Sequence, residues 1–466
     1  MSNDAGKHGT SDLARGLPMV AKWDPDALAE EKQWLQDLEG KGVLTRWRGY
    51  LSRMGPGWMQ SAVTLGGGSA GASLFAGGFL GYKLLWLQPF AMLLGVIMLS
   101  AVSYQTLTTG VRPFHAMRRF IHPGVAWAWA LASLAATIIW HFPQYALAGG
   151  MAQDMVKALT KENVVIPPWV FGVVILLLAT AITWTYGRSS RGVRIYEQML
   201  KYMVWMIVLA FLLVVCLTGI KWGDLWRGFF CFHIPRDARG VSVMMAGFGA
   251  AVGINMTFLF PYTLLAKGWG TEHRRLSRFD LLTGMFIPYS IAASLMIIAA
   301  ANTLPGSEKF QAILADPNQT FVPATLAAQV LSPMPLGRMV FDLGLIGMAL
   351  STITIHMLMS AFIVCEIMGW EPTGWRYRLA ALIPAPGVLG TVLWGKMAMW
   401  IAVPTSAICG IFLPIAYIAF FILHNRKEYL GDRKPTGAAA AWNIAMILAI
   451  LAASASGIYY LCVTCI

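Results

Sequence analysis

The chain has 466 residues, of which 57% are hydrophobic and only 12% are charged, and its mean hydropathy is +0.60. This composition excludes an ordinary water-soluble globular protein and is typical of a chain that crosses the bilayer many times. The net charge of +13 does not indicate nucleic-acid binding, because the basic residues are distributed among short loops between apolar segments.

Residues 1–50 are polar, carry both signs of charge and lack the basic-then-apolar pattern of a cleavable signal peptide. We interpret them as a cytoplasmic tail. A helix is predicted to start at Pro25, with Trp34, Leu35 and Leu38 on one of its sides. Two interpretations are open for this helix, one on the membrane surface and one in water.

After the tail, apolar runs follow one another, each long enough to cross about 30 Å of hydrocarbon. We predict about eleven spans and an all-α polytopic membrane protein. The predicted spans are residues 54–80, 84–109, 123–150, 168–186, 196–219, 241–266, 280–304, 337–368, 378–395, 398–423 and 438–465.

The Lys and Arg residues cluster in the tail and in alternate loops, such as those at residues 111–120, 187–194 and 267–278. Clusters of this kind mark the cytoplasmic side of a membrane protein. We therefore predict a multi-pass protein of the plasma (inner) membrane with a cytoplasmic N-terminus. Because the predicted number of spans is odd, the C-terminus is expected outside.

The first predicted span contains three consecutive glycines, Gly66, Gly67 and Gly68, within an apolar run. Glycine disfavours a helix, and backbone groups freed by a helix break are tolerated in a membrane only where they are buried in protein or line a cavity. We predict a helix break that lines a cavity. The alternative is an unbroken helix packed closely against a neighbour, since small residues let helices approach.

A second interruption lies five spans later, where several glycines and Pro261 occur in an apolar run that also contains Gly253, Asn255 and Thr257. Interrupted segments at corresponding positions of two five-helix halves are typical of an inverted-repeat secondary transporter. The substrate site of such a transporter lies where the two breaks meet at the membrane midplane.

This pattern divides the chain into four parts. They are a cytoplasmic tail at residues 1–50, a first five-helix repeat at 51–219, a second five-helix repeat at 240–423 and an eleventh transmembrane helix at 438–466. The eleventh helix is expected at the periphery, because it belongs to neither repeat.

The first predicted span reads GPGWMQSAVTLGGGSAGASLFAGGFLGYKLLW, and it resembles the first span of the natural-resistance-associated macrophage protein (Nramp) family of divalent-metal transporters. Shorter matches follow at residues 249–252 (GAAV), 297–301 (IIAAA), 351–354 (STIT) and 413–414 (LP). The resemblance covers nearly the whole membrane region. It implies the leucine-transporter fold, a 5+5 inverted repeat with discontinuous helices 1 and 6.

The metal-binding signatures of that family are replaced in this sequence. Its Asp-Pro-Gly-Asn motif corresponds to residues 66–69, its Met-Pro-His motif to residues 253–255, and its acidic pair in span three to His141 and Gln144. The family's glutamine in span ten corresponds to Ser406. A site without carboxylates is poorly suited to a dehydrated dication, which needs oxygen ligands and compensating charge. The resemblance therefore implies the fold but not metal transport.

Backbone N–H groups and small polar side chains are what the predicted cavity retains. A half-helix that begins near Ser69 directs its positive dipole end into the cavity, which suits a small anion. We predict a secondary-active transporter of a small anion. Bicarbonate fits by size and is the first choice, while nitrate, formate and chloride satisfy the same argument. The predicted substrate-binding residues are Thr64, Gly66, Gly67, Gly68, Ser69, Gly253, Asn255 and Thr257.

Coupling to Na⁺ or H⁺ is predicted from polar residues in three spans. His141, Gln144 and His356 are candidate proton or gating residues, although each histidine has the alternative role of a hydrogen-bonded packing residue. The resemblance to the leucine-transporter fold implies a sodium site beside the first break, for which Ser351 and Thr352 supply hydroxyl groups.

Two other functions are left open. A hydrated divalent cation such as magnesium or manganese keeps much of its water and needs fewer charged ligands, so a metal transporter is the first alternative. A non-transporting membrane receptor is the second. The sequence lacks the H-E-x-x-H and nucleophile-elbow motifs, so we expect neither an enzyme activity, nor a cofactor, nor a resident metal centre.

Overall fold

The computed structural model describes residues 25–161, 164–185, 190–315, 335–370, 374–393 and 401–464. Over these ranges the chain is helical and contains no β-strand. The first ten helices are α1 Pro25–Glu39, α2 Val43–Arg53, α3 Pro56–Thr64, α4 Gly67–Leu80, α5 Leu87–Thr109, α6 Pro113–Phe120, α7 Pro123–Leu159, α8 Pro168–Thr185, α9 Ser190–Thr218 and α10 Trp222–Phe230.

The second half of the chain continues the same pattern. Its helices are α11 Ala238–Ala251, α12 Ile254–Ala266, α13 Arg274–Asp280, α14 Ile287–Thr303, α15 Glu308–Ala315, α16 Pro335–Met368, α17 Gly374–Ala381, α18 Gly390–Leu393, α19 Ala402–Asn425, α20 Lys427–Leu430 and α21 Trp442–Thr464. A π-helical turn at Leu281–Phe286 joins α13 to α14.

By length and hydropathy, nine helical segments of the described residues can cross a membrane, and the bent pair α3 and α4 makes a tenth crossing. The chain is therefore a multi-pass integral membrane protein. The share of each helix that is buried by other parts of the protein distinguishes central from peripheral helices. The apolar window of α11 and α12 is 100% buried by other parts of the protein, whereas that of α21 is 22% buried, which places the last helix at the edge of the bundle as predicted.

The ninth predicted span, residues 378–395, is interrupted rather than continuous. A 3₁₀ turn at Ala385–Leu389 separates α17 from α18, and residues 394–400 lie outside the described ranges. Pro384 and Pro386 account for the interruption, because proline lacks an N–H group and clashes with the preceding helical turn. The prediction of one continuous helix was wrong here, because hydropathy alone does not register these two prolines.

Both predicted helix breaks are present. α3 and α4 meet at a bend of 53° across Leu65 and Gly66. α11 and α12 are separated by Val252 and Gly253, both of which have extended backbone conformations. Two long helices, α7 and α16, pack along each other, and each also packs against α3 or α4 and against α12. The breaks are thus enclosed by protein, which is the condition under which a membrane tolerates them.

The helix of the tail begins at Pro25, as predicted, and its apolar face is covered by protein. Leu35 and Leu38 are 2% and 3% exposed, and Glu39 forms a 3.3 Å ion pair with Arg275. The helix is therefore anchored to the protein along this face, and both interpretations of its other face, on the membrane surface or in water, stay predictions.

Candidate functional site

At the first break, the second half-helix begins at Gly67, two residues earlier than the start predicted near Ser69. α3 ends at Thr64, Leu65 N–H donates to the Ser61 carbonyl at 2.9 Å, and α4 begins at Gly67. Ser69 lies inside the first turn of α4, where its hydroxyl accepts from Gly66 N–H at 3.2 Å and donates to the Gly66 carbonyl at 3.0 Å. Ser69 therefore closes the turn at the break.

The three glycines are needed because other helices pack directly against this backbone. A Cβ atom at Gly66 would lie 2.8 Å from Thr352 Oγ1, and one at Gly67 would lie 3.0 Å from the Pro143 carbonyl oxygen. A Cβ atom at Gly68 would overlap the Trp140 ring. The triplet thus serves both of the roles considered from the sequence, since it breaks the helix and also permits close packing.

The second break is held in place by hydroxyl and indole groups of α7. Trp129 Nε1 donates to Thr257 Oγ1 at 2.9 Å, and Thr257 in turn donates to the Ile254 carbonyl at 2.5 Å. Asn255 Nδ2 lies 3.4 Å from Thr137 Oγ1. Thr257 is therefore engaged in fixing the start of α12, while the Asn255 amide is oriented by α7.

A small cavity lies between the two breaks. The centre of a water molecule can occupy about 20 Å³ of it, which is room for about one water. The cavity is lined by Val63, Thr64, Gly66, Trp140, Gly249, Ala250, Gly253, Asn255, Met256 and His356. It unites four predicted substrate-binding residues, Thr64, Gly66, Gly253 and Asn255, with the predicted gating residue His356. The other predicted residues are outside this lining: Gly67, Gly68, Ser69, Thr257, His141, Gln144, Ser351 and Thr352.

Three backbone N–H groups at the two breaks already have partners within the protein. Gly67 N–H donates to Gln144 Oε1 at 2.7 Å, and Gly66 N–H is bound by Ser69. At the second break, Gly253 N–H points to Met256 Sδ at 3.4 Å. Of the donors that the sequence assigned to an anion, these three N–H groups are therefore used internally.

Helix C-terminal ends border the cavity as well as helix N-terminal ends. Val63 and Thr64 belong to the last turn of α3, and Gly249 and Ala250 belong to the last turn of α11. A helix C-terminus carries a partial charge of about −0.5. Gly66 and Gly253, the N-cap residues of α4 and α12, line the same cavity, so the partial charges of the four helix ends largely cancel and do not favour an anion.

Met256 is a cavity residue that the sequence reasoning missed. Its Sδ lies 3.6 Å from Thr64 Oγ1, so the thioether joins the two breaks across the cavity. The alignment with the family motif ended at Asn255 and indicated that the sulfur ligand was lost. The signal available in the sequence was the neighbouring methionine, one position further along α12.

The two candidate histidines lie side by side, with ring centroids 5.8 Å apart. His356 lines the cavity, and its Nδ1 is buried without a hydrogen-bond partner among the described residues. His141 lies behind it, with Nδ1 2.6 Å from the Pro384 carbonyl and Nε2 3.2 Å from the Ile353 carbonyl. A neutral imidazole can donate to only one of these carbonyls, whereas an imidazolium can donate to both.

The predicted sodium residues differ in where their hydroxyl groups point. Thr352 Oγ1 lies 3.0 Å from the Ala62 carbonyl of α3, so it contacts the first break as expected. Ser351 Oγ donates to the Met348 carbonyl of its own helix at 2.8 Å. Sodium binding at this position stays a prediction.

An ionic cluster fixes the far end of α3. Asp280 Oδ2 accepts from Gly57 N–H at 2.7 Å and from Gly55 N–H at 3.3 Å, which satisfies orphan donors at the helix N-terminus. Glu197 and Lys267 pair beside it at 2.9 Å. These groups hold the first half-helix against α13, α9 and α12, so its position depends on three other elements.

Two broken helices that meet at a central cavity, in a bundle of apolar helices, define a secondary transporter of the leucine-transporter fold. A crystal structure of a manganese transporter from Eremococcus coleocola superimposes with a TM-score of 0.68 and 16% identity, covering 90% of this chain and 89% of that one. The structure of MhsT in complex with L-phenylalanine gives 0.56 and 13%, covering 88% and 98%.

The family model described as natural resistance-associated macrophage protein-like matches residues 57–460, and the chain belongs to this family. Among its relatives is the divalent metal cation transporter MntH of Brucella suis biovar 1, which is 24% identical over 88% of this chain and 87% of the relative. The MntH of Acidiphilium cryptum is 22% identical over 87% of this chain and 89% of the relative. These relatives are transporters.

Proposed function

We propose that the protein transports a divalent transition-metal cation across the plasma (inner) membrane, bound between the two helix breaks by uncharged donors. The observation that carries the proposal is the composition of the cavity lining. Thr64, Asn255, Met256 and His356 supply hydroxyl, amide, thioether and imidazole groups around a space of about 20 Å³. We also propose a cytoplasmic N-terminus and an external C-terminus, as the distribution of basic residues indicates.

Polarity supports a cation over the anion that the sequence favoured. The N–H groups of Gly66 and Gly67 are bound by Ser69 and Gln144, so an anion would have to displace both internal partners. The C-terminal ends of α3 and α11 border the cavity together with the N-terminal ends of α4 and α12, so the helix dipoles give an anion no net attraction. Size adds to this argument, because bicarbonate has four heavy atoms and the cavity has room for about one water. Bicarbonate therefore has the weaker support.

Ligand type supports a transition metal over magnesium. Thioether and imidazole groups prefer softer cations, whereas Mg²⁺ retains several waters and prefers oxygen ligands in an octahedron. A hydrated Mg²⁺ does not fit beside Met256 and His356 in a cavity of this size. The names of the relatives, a divalent metal cation transporter and a manganese transporter, support the same class.

The donor set also predicts modest affinity. Among the described residues, no three His, Cys, Asp or Glu side chains lie close enough to hold a metal ion together. The helix ends supply little compensating charge for the two positive charges of the ion, because C-terminal and N-terminal ends both border the cavity. We expect weaker binding than at a site with a carboxylate, and rapid release.

Uptake into proteoliposomes tests the proposal. The wild-type protein is expected to take up Mn²⁺, and Cd²⁺ should compete more strongly than Mg²⁺, because the cavity contains thioether and imidazole donors. Bicarbonate should neither be taken up nor compete. Accumulation of labelled bicarbonate that is unaffected by Mn²⁺ would overturn the proposal in favour of an anion. Absence of uptake of any of these ions, in protein that is correctly folded, would instead favour a non-transporting receptor.

A further inference from the structure

A cleft of about 380 Å³ lies at the end of the bundle that carries the N-terminal tail, away from the helix breaks. Its polar lining residues are Ser100 and Tyr104 of α5, Arg278 of α13 and His424 of α19. The segment that leads into α21 supplies most of the remaining lining, which consists of alanines, one proline and Trp442. We refer to this space as the Arg278 cleft. Its lining combines polar groups from the bundle with an apolar wall from the start of the last helix.

Arg278 is the charged residue of this cleft, and no carboxylate lines it. Arg278 is exposed and takes part in none of the ion pairs among the described residues. A neighbouring cleft shares Arg278 and is lined by three arginines and two glutamates, namely Arg274, Arg275, Arg278, Glu39 and Glu272. Positive charge is therefore in excess even when the two clefts are taken together.

A second guanidinium lies against the Tyr104 wall of the cleft. Arg274 Cζ is 4.6 Å from the centre of the Tyr104 ring, and Arg274 Nη2 donates to Thr108 Oγ1 at 2.6 Å. Arg274 Nε is buried without a hydrogen-bond partner among the described residues. The Tyr104 hydroxyl donates to the Arg433 carbonyl at 2.6 Å, which fixes the ring. Arg274 thus adds positive charge beside the cleft and has no acid as a partner.

His424 contributes an uncharged donor. It is 3% exposed, and its Nδ1 lies 3.3 Å from Gln105 Nε2, which also donates to the Phe420 carbonyl at 2.9 Å. Because an amide NH₂ group can only donate, His424 Nδ1 accepts and the hydrogen of the neutral imidazole is on Nε2. His424 lines the cleft, so this N–H group is a donor for a ligand there. A guanidinium and an imidazole N–H together suit a phosphate oxygen.

The position of the cleft favours a lipid over a free anion. Trp442 is 40% exposed at the start of α21, and tryptophan at the end of a span is typical of the headgroup level of a bilayer. The apolar window of α21 is only 22% buried, so the apolar wall adjoins lipid. Glu39 of the tail pairs with Arg275 of α13 at 3.3 Å, which places the cleft on the side of the N-terminus. A phosphate attached to acyl chains can use both walls, whereas a free phosphate can use one.

We propose that the Arg278 cleft binds an anionic phospholipid, with its phosphodiester on Arg278 and His424 and its glycerol and upper acyl chains against the alanines and Trp442. Basic pockets between transmembrane helices are suited to anionic lipid headgroups. Phosphatidylglycerol carries one negative charge, which matches the unpaired guanidinium of Arg278. Such a lipid joins α21 to α13. The proposal does not depend on which ion the protein transports.

Lipid retention tests the proposal. The purified protein is placed in nanodiscs with equal amounts of phosphatidylglycerol and phosphatidylcholine of the same acyl chains, and the lipids that stay bound after transfer to detergent are counted by native mass spectrometry. The wild-type protein should retain phosphatidylglycerol over phosphatidylcholine by about fivefold, because one basic residue at a membrane surface contributes roughly that factor. Arg278→Gln should lose the preference. Arg426→Gln changes an exposed arginine on the same side that does not line the cleft, and it should keep the preference.

A second variant retains Arg278 and changes the opposite wall. Ala439 is an exposed lining residue, so Ala439→Glu should fold, and its carboxylate should repel the headgroup and abolish the preference. This variant replaces Arg278→Gln if the latter does not fold. A large excess of inorganic phosphate should not displace the lipid. Equal retention of both lipids by the wild-type protein, or an unchanged preference in folded Arg278→Gln, would overturn the proposal. Displacement by inorganic phosphate would also overturn it, in favour of a soluble anion.

Discussion

Replacing Met256 with leucine should lower Mn²⁺ uptake by about tenfold or more, since even losing a group that only supports a metal ligand costs 10- to 100-fold in affinity. Leucine conserves the volume of methionine, so the fold should be retained. The change removes the thioether that lies 3.6 Å from Thr64 Oγ1. The loss should be larger for competition by Cd²⁺ than for competition by Mg²⁺, because sulfur favours softer cations.

Met98→Leu is the matched control for this prediction. Met98 is a buried methionine of α5 with an exposed fraction of 0%, and it is not part of the cavity lining. It should leave uptake and the order of competition unchanged. Equal uptake by Met256→Leu and Met98→Leu would show that the Met256 sulfur does not bind the ion, and it would contradict the assignment of a transition metal.

Gly68→Ala is expected to destabilise the protein, because a Cβ atom at Gly68 would lie closer to a neighbouring atom than one at any other described glycine. The new Cβ would overlap the Trp140 ring, and overpacking of this kind costs roughly 1–3 kcal/mol. Trp140 also lines the cavity, so a displaced ring would close it. We expect a lower melting temperature in detergent and loss of ion uptake.

A double-mutant cycle and a control identify the cause of that loss. Trp140→Leu should offset much of the destabilisation by Gly68→Ala, because the smaller side chain leaves space for the methyl group. Gly223→Ala adds a methyl group where nothing lies within 4 Å, and it should be neutral. Additive effects of the changes at positions 68 and 140 would show that the ring does not explain the need for glycine.

The architecture was predictable from the sequence because its signals are local. The glycine triplet at residues 66–68 and the Gly253 region stood out within apolar runs, and both breaks are present. The helix start was misplaced by two residues because the roles of three adjacent glycines cannot be distinguished locally. The interruption at Pro384 and Pro386 was missed because a window of mean hydropathy does not register proline.

The polarity of the site was not predictable, because it depends on contacts between distant parts of the chain. Whether Gly67 N–H is free for an anion is decided by Gln144, which lies 77 positions further along the chain. Likewise, the sulfur of Met256 enters the site through its contact with Thr64, 192 positions away. The sequence correctly indicated that carboxylates are absent from the breaks, but it did not indicate that helix C-terminal ends border the cavity together with the N-terminal ends.

Anomalous X-ray diffraction from crystals grown with Mn²⁺ tests the central claim most directly. A single manganese peak is expected in the cavity between the two breaks, next to Thr64, Asn255, Met256 and His356. The Met256→Leu variant should reduce its occupancy, and Met98→Leu should not. No peak in this cavity at saturating Mn²⁺, or a bound anion on the N–H groups of Gly66 and Gly67 in its place, would contradict the proposed cation site.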